Sequence, residues 1–241
     1  MIPRTPRPLV IAHRGGRHDG VPGEQGLAHV ERAIALGVDF VEVDLRRTRD
    51  GRIVCVHDRT HAGVTVADID HGELVTASAA AGVAAPPLLD ELLEVCRGRV
   101  GLDLELKVPG IEDTALAAAR GFGLDRVLLK SFDDAVVRAL KRREPACTAG
   151  LLLGLPRPKH KVRTRLSELF PGWRLRACRA DFVSPNVALL RLGFTARAHL
   201  LGFPVLVWTV NDPARMAGLV DRVDGIITDE PAACLALRAR R

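Results

Sequence analysis

The sequence contains no tyrosine, and aromatic residues make up only 4% of its 241 positions. It also lacks any recognisable nucleic-acid-binding motif, so the sequence offers no obvious set of residues for stacking on bases or recognising them. The formal net charge is nevertheless +6, and all but five of the 35 basic residues are arginine. Such a charge can attract an anionic lipid or a small anionic substrate as well as a nucleic acid. We therefore expect a small-molecule substrate and no nucleic-acid partner.

Cysteine is scarce, and long apolar runs are absent. The five cysteines are odd in number and widely spaced without a CxxC pair, so the sequence suggests neither a disulfide framework nor a zinc knuckle. No stretch approaches the roughly 18 apolar residues that a membrane-spanning helix needs. The apolar run after the N-terminus ends at His13, which is too short for the core of a signal peptide. These absences favour a cytoplasmic protein without a transmembrane segment.

Short β-like runs alternate with amphipathic helical segments along the whole chain. Eight such runs in 241 residues predict an α/β fold, a (β/α)8 TIM barrel, formed by a single domain over residues 1–241. An open doubly wound sheet is the competing fold, but the dinucleotide-binding glycine pattern that would favour it is missing after His13. The predicted strands are Leu9–His13, Asp39–Leu45, Gly101–Lys107, Arg126–Ser131, Cys147–Leu152, Ala180–Ser184, Pro204–Thr209 and Gly225–Thr228, and the predicted helices are Leu27–Leu36, Leu88–Cys96, Glu112–Ala119, Asp133–Arg142, Val187–Leu201 and Pro213–Val220.

A ninth β-like run, residues 52–57, follows the second strand after only a few residues. Asp50-Gly51 between two β-like runs is a hairpin signal, and so short a return cannot be a parallel crossover. We predict an antiparallel strand that folds over the barrel mouth. With Asp50 and Gly51 as the two loop residues, His57 would lie opposite Asp44. Residues 59–85 that follow are expected to be a loop or a small insertion.

Acidic residues inside the predicted strands indicate where the chemistry lies. Glu42 and Asp44 share one face of the second strand, and Glu105 lies in the third. Buried charge is costly unless it is paired or bound to a metal, and the mouth of a barrel is where such residues converge. Carboxylate oxygens are preferred ligands of Mg²⁺ and Ca²⁺. The three residues therefore predict a divalent-cation site.

Basic residues and histidines occur at the same strand ends. His13 ends the first strand and His57 ends the return strand, so the pair could provide a general acid and a general base. Arg14 and Lys107 could hold an anion such as phosphate. Trp208 ends the seventh strand and could either pack in the barrel or line the substrate site, and we favour the lining role.

Two further polar residues end the fourth strand. Lys130 and Ser131 alternate there, so only one of them should face inward, and Ser131 could lie at the mouth.

Taken in order, these residues resemble the glycerophosphodiester phosphodiesterase family. The resemblance implies a TIM barrel that hydrolyses glycerophosphodiesters to sn-glycerol 3-phosphate and an alcohol with a divalent cation. It also implies that the three acidic residues bind the metal, that the two histidines act as acid and base, and that Arg14 and Lys107 hold phosphate. Glu24 keeps the family's spacing to Glu42 and is a possible further contact of the metal site. The matching segments are 12–16, 37–44, 48–51 with 57–58, 105–107, 131–133, 208–211 and 224–229.

Several alternatives stay open on the sequence. A lysophospholipase D or a phosphoinositide-type phospholipase could use a similar barrel, although the sequence has no obvious apolar rim for a membrane. A non-catalytic barrel that binds phosphate esters is disfavoured, because a pure binder would not need two histidines. The sequence does not distinguish Mg²⁺ from Ca²⁺ or water from a substrate hydroxyl as the nucleophile. It also leaves open the oligomeric state, the head group and which histidine is the acid.

Overall fold

The computed structural model describes residues 7–17, 26–154 and 161–240, without the side chains of residues 161 and 163. Within these ranges the strands are β1 (Leu9–His13), β2 (Phe40–Arg47), β3 (Ile53–Cys55), β4 (Thr60–His61), β5 (Val64–Thr65), β6 (Gly101–Leu106), β7 (Val127–Ser131), β8 (Thr148–Leu153), β9 (Phe182–Pro185), β10 (Leu206–Val207) and β11 (Gly225–Thr228). The helices are α1 (Leu27–Leu36), α2 (His71–Ala80), α3 (Leu89–Cys96), α4 (Glu112–Phe122), α5 (Asp134–Arg143), α6 (Lys161–Leu169), α7 (Gly172–Cys178), α8 (Phe194–Leu200), α9 (Pro213–Leu219) and α10 (Pro231–Ala239), with 3-10 turns at Val66–Asp68, Leu124–Arg126 and Val187–Leu189.

Eight parallel strands form the barrel in the order β10, β11, β1, β2, β6, β7, β8 and β9. Isolated parallel bridges from Val183 to Val205 and from Asn186 to Trp208 connect the two end strands, so the sheet is nearly closed. Helices follow the strands around the outside, which is the order that parallel strands require. The predicted (β/α)8 TIM barrel is therefore confirmed.

Strand alternation divides the apolar residues into two layers. Inward side chains such as Ile11, Phe182 and Ile227 form a small cluster inside the barrel, whereas their neighbours pack against the helices. Position 150 requires glycine, because the ring of Phe182 occupies the space that a Cβ atom would need. The same inward rows continue towards the carboxyl ends of β2 and β6 with acidic residues, so the apolar filling of the barrel gives way to charge near its mouth.

The antiparallel return strand is present, but its register differs from the prediction. Leu45 lies opposite Cys55, and the N–H of Val56 donates to the carbonyl of Asp44 at 2.9 Å. The expected pairing of His57 with Asp44 was therefore wrong by one residue. The cause is a loop of three residues rather than two, closed by Gly51 at a φ of 84° in the left-handed region that glycine tolerates.

Residues 59–85, expected to be a loop or small insertion, contain the β4–β5 hairpin and the ten-residue helix α2. Asp70 and Glu73 cap the start of α2, and Leu74 packs with Val66 in a cluster separate from the barrel core. The predicted helix over 187–201 is also interrupted, because Gly193 has a φ of 68° and α8 begins only after it. No helix in the described ranges is both long and apolar enough to cross a membrane.

Candidate active site

A cavity of about 370 Å³ opens at the carboxyl ends of the barrel strands. This is the end of a TIM barrel where active sites are built, and the volume is that of a small-molecule site. The cavity is lined by every site residue that the sequence predicts within the described ranges, namely His13, Arg14, Glu42, Asp44, His57, Glu105, Lys107 and Trp208. Glu24, the possible further residue of the metal site, lies outside the described residues.

A tight glycine turn at the end of β1 positions the first two site residues. The N–H of Gly16 donates to the carbonyl of His13 at 2.8 Å, which reverses the chain directly after the strand. Gly15 has a φ of 84°, and a Cβ atom there would lie 2.8 Å from the Cβ of His29. The turn therefore needs glycine both for its dihedral angle and for space. The N–H of Arg14 then donates to Glu42 Oε2 at 3.3 Å.

Three buried carboxylates form the acidic part of the cavity. Glu42, Asp44 and Glu105 each offer an oxygen atom, and these atoms lie within 4.8 Å of one another. Burial and the negative charges of Asp44 and Glu42 raise the pKa of Glu105 to about 7, although Lys107 opposes the shift. A hard divalent cation would relieve this repulsion, and oxygen donors are the ligands it prefers. The donor set therefore fits Mg²⁺ or Ca²⁺.

Two basic side chains lie against these carboxylates. Lys107 Nζ is 2.6 Å from Glu105 Oε1 and 2.9 Å from Asp44 Oδ1, and Arg14 Nε is 3.2 Å from Asp44 Oδ2. Burial by itself would raise the pKa of Asp44, but Lys107 and Arg14 lower it to about 2. Asp44 is therefore ionised at neutral pH, and positive charge is available at the mouth for an anionic group.

The two histidines are held in different ways. His13 Nδ1 lies 2.6 Å from Asp229 Oδ1, which leaves Nε2 facing the carboxylates at 3.9 Å from Glu42 Oε2. His57 Nδ1 lies 2.7 Å from Asp58 Oδ1. Burial and the nearby Lys107 lower the pKa of His57, which favours its neutral form at neutral pH. Both imidazoles are thus oriented by a carboxylate on one ring nitrogen.

Sequence reasoning assigned no role to the residues that orient His13. Asn211 Nδ2 donates to Asp229 Oδ2 at 2.5 Å, and the N–H of Asp229 donates back to Asn211 Oδ1 at 2.9 Å. Burial would raise the pKa of Asp229, but the hydrogen bonds from His13 and Asn211 lower it. Both residues lie in segments that match the family pattern. Their position at two neighbouring strand ends could have indicated this pairing.

A second buried lysine lies deeper in the barrel and was also unassigned. Lys130, rather than Ser131, follows the inward row of β7, and its Nζ lies 2.6 Å from Asp103 Oδ2 and 3.2 Å from Glu42 Oε1. Burial lowers the pKa of Lys130, but the two carboxylates outweigh it and the net shift is upward. Burial raises the pKa of Asp103 to about 6. The register that places Lys130 beside Glu105 on the next strand is the signal that could have located it.

The opposite wall of the cavity is apolar. Phe132 meets Trp208 edge to face, with ring centroids 5.7 Å apart and an angle of 82° between the planes. Trp208 Nε1 donates to the carbonyl of Ser184 at 2.9 Å, so the indole is fixed with its ring towards the cavity. The site therefore combines a charged wall with an aromatic one, as expected for a ligand with an anionic group and a carbon skeleton.

The sequence model of the glycerophosphoryl diester phosphodiesterase family matches residues 13–233. The chain belongs to this family. A glycerophosphodiester phosphodiesterase from Caldanaerobacter subterraneus is 31% identical over 95% of this chain and 97% of its own length. A probable glycerophosphodiester phosphodiesterase 2 from Mycobacterium tuberculosis is 32% identical over 92% of this chain and 87% of its own. The family and the enzyme class, a phosphodiester hydrolase, are therefore as predicted.

Solved structures support the same fold. A putative glycerophosphoryl diester phosphodiesterase from Silicibacter pomeroyi superposes with a TM-score of 0.80 at 27% identity, covering 98% of this chain and 95% of that chain. A phosphodiesterase from Oleispira antarctica, solved in complex with the product sn-glycerol-3-phosphate, superposes with a TM-score of 0.75 at 22% identity and covers 96% of each chain. At that identity the second likeness shows the fold alone.

Proposed function

We propose that this glycerophosphodiester phosphodiesterase releases sn-glycerol 3-phosphate and an alcohol, using a divalent cation and the two histidines at the barrel mouth. The observation that carries the proposal is the convergence of three carboxylates, two histidines and two basic side chains on one cavity. The product agrees with the ligand of the Oleispira antarctica relative. A small-molecule substrate fits the cavity volume of about 370 Å³. A cytoplasmic location stays a prediction from the sequence.

Glu42, Asp44 and Glu105 would hold the cation. When bound, the cation supplies charge neutralisation at a non-bridging phosphate oxygen, and it can also bind a glycerol hydroxyl. Lys107 contacts two of these carboxylates and Arg14 contacts one, so both basic side chains lie next to the proposed metal site. Arg14 and Lys107 would therefore bind the remaining phosphate oxygens through charge-assisted hydrogen bonds.

His13 and His57 would move the protons. One imidazole accepts a proton from the nucleophile, and the other donates a proton to the leaving alkoxide. The hydrogen bonds to Asp229 and Asp58 supply the fixed orientation that such transfers need. Trp208 and Phe132 would pack against the carbon atoms of the glycerol moiety, because their edge-to-face pair forms the apolar wall.

Turnover of a panel of glycerophosphodiesters tests this proposal. The panel carries choline, ethanolamine, glycerol and inositol head groups, and released sn-glycerol 3-phosphate is detected with a coupled dehydrogenase. We expect chelation to abolish release and Mg²⁺ or Ca²⁺ to restore it. Full turnover after exhaustive chelation would contradict the metal assignment, and release of choline without sn-glycerol 3-phosphate would contradict the bond that is broken.

A further inference from the structure

The excess of positive over negative charge is concentrated in one part of the chain. Residues 161–202 contain eight lysines and arginines against two acidic residues, whereas the rest of the sequence contains 27 basic and 27 acidic residues. The whole net charge of +6 therefore belongs to this segment of 42 residues. Arg174 and Arg165 are paired with Asp134 and Glu168, but further arginines of the segment are exposed and can attract an anionic partner.

The same segment exposes large apolar side chains. Val162, Leu166 and Phe170 are spaced four residues apart along α6 and its end, and their exposed fractions are 75%, 56% and 55%. Helical residues four apart lie on one face. Phe170 continues into an apolar groove of about 240 Å³ that Trp173 and Leu201 also line, and Trp173 is 64% exposed. We call these five residues the apolar flank.

The helix that carries the first part of the apolar flank lies beside the carboxyl end of a barrel strand. Glu168 of α6 accepts a hydrogen bond from the N–H of Gly154, which directly follows the carboxyl end of β8, at 2.8 Å. Leu152, two residues earlier, lines the active-site cavity. This contact places α6 next to the end of β8, close to the residues that line the cavity. Arginines also lie near the flank: Arg197 lies over the ring of Phe170 at 4.9 Å, and Arg176 is close to Gly172 of the groove. Arg176 and Arg179, at the end of α7, are both exposed.

We propose that the apolar flank docks this enzyme on a membrane surface rich in anionic phospholipids. Exposed tryptophan, phenylalanine and leucine enter the boundary between head groups and acyl chains, while arginines beside them attract the anionic head groups. A second copy fits poorly, because a symmetric dimer through this face would bring two segments of net charge +6 together. A nucleic acid fits less well, because the aliphatic side chains of Val162, Leu166 and Leu201, three of the five flank residues, offer no face for base stacking. Docking here is independent of the cation and the histidines.

Vesicle sedimentation of the full chain tests the docking. One set of vesicles is pure phosphatidylcholine, and the other contains equal parts of phosphatidylcholine and phosphatidylglycerol. We expect binding only to the anionic set, weakened by high salt, together with a shift of tryptophan emission to shorter wavelength. Trp208 is the only other tryptophan, so Trp173→Phe should keep most of the binding and lose most of the shift.

Two double variants locate the surface. Phe170→Glu with Trp173→Glu removes apolar contact with the acyl chains, and Arg176→Glu with Arg179→Glu removes attraction to the anionic head groups. A single surface charge changes vesicle affinity roughly fivefold, so we expect each double variant to weaken vesicle binding by about 25-fold or more. The matched control is Arg32→Glu with Leu36→Glu on α1, where both side chains are also exposed. The control should bind as the parent does. All three variants should keep the parent's circular dichroism spectrum and its turnover of a water-soluble glycerophosphodiester.

Several results would overturn the docking proposal. The first is an absence of binding to anionic vesicles at low salt. The second is an equal loss of vesicle binding in the α1 control. The third is a loss of binding in the arginine variant alone, which would indicate adsorption to any polyanion. A dimer in sedimentation velocity that Trp173→Glu dissociates would assign the flank to a second copy instead. Because vesicle binding is measured without substrate, failure here leaves the hydrolysis proposal standing, and failure of hydrolysis leaves the docking test unaffected.

Discussion

The barrel contains two lysine–carboxylate groups that are chemically alike and differ in depth. The deeper group pairs Lys130 with Asp103, which are 2% and 0% exposed, and Lys130 also lies 3.2 Å from Glu42 at the floor of the cavity. Lys107 with Glu105 and Asp44 borders the cavity, where an anionic group of a ligand would compete with these carboxylates for the ammonium group. The comparison teaches that the exposure of the lysine, 13% for Lys107 and 2% for Lys130, distinguishes a pair that can meet a ligand from one that serves the fold, since the carboxylates of both groups are buried. Breaking the deep group should reduce stability, whereas changing the mouth group should reduce function.

Changes at the histidines should give the largest effect and leave the deep group intact. We expect His13→Ala and His57→Ala each to lower kcat by about 10²–10⁴-fold, the usual contribution of a general acid or base. The unfolding midpoint should stay near that of the parent, because both side chains face the cavity rather than the packed layers. His71→Ala, on α2 away from the cavity lining, is the matched control. Near-native turnover of either variant would remove that histidine from the mechanism.

Removal of the deep lysine should give the next largest effect, on stability. Lys130→Met removes the ion-pair partner of Asp103 and one contact of Glu42, and removal of one partner of a buried pair costs about 3–5 kcal/mol in the free energy of unfolding. Asp103 Oδ1 already has no hydrogen-bond partner within the described residues, so little can compensate. Asp103→Leu combined with Lys130→Met should recover much of the loss in a urea titration. If the single variant is as stable as the parent, the deep group is not a structural ion pair.

Cation binding should stabilise the fold through the three carboxylates Glu42, Asp44 and Glu105. At a hundredfold excess over its Kd, a bound ligand adds about 2.7 kcal/mol to the free energy of unfolding. We therefore expect Mg²⁺ or Ca²⁺ to raise the thermal midpoint of the parent and of His57→Ala, but not that of Glu105→Gln. The measurement needs no substrate. An equal rise in Glu105→Gln would place the cation elsewhere.

Substitution of Lys107 should have the smallest effect and distinguish its possible roles most finely. Lys107→Arg keeps the charge, but a planar guanidinium replaces a compact ammonium that lies within 3 Å of two carboxylates. We expect kcat/KM to fall by about tenfold, as for a single charge-assisted contact of roughly 1.4 kcal/mol. Stability should change little. Near-native kinetics of Lys107→Arg, with unfolding of Lys107→Met at lower urea, would indicate a purely structural salt bridge.

The sequence by itself determined the fold and indicated most of the residues that line the candidate site. Its eight apolar runs separated by amphipathic segments suffice for a TIM barrel, and strand alternation places Glu42 with Asp44 on one inward face. Position at a strand's carboxyl end then brings His13 and Glu105 to the mouth, since parallel strands share that edge. These features depend on the spacing of residues along the chain, so they can be read from the sequence without knowing which distant residues are in contact.

Only the tertiary structure decided the contacts that depend on distant partners. The one-residue shift in the register of β3 followed from the three-residue loop closed by the left-handed Gly51. The pairing of His13 with Asp229 joins residues 216 positions apart. Lys130 meets Asp103 because neighbouring strands set their relative height, which no single run encodes. The apolar flank likewise emerged from which side chains the helices leave uncovered. Such choices arise from packing between elements, whose geometry is fixed only when the whole barrel closes.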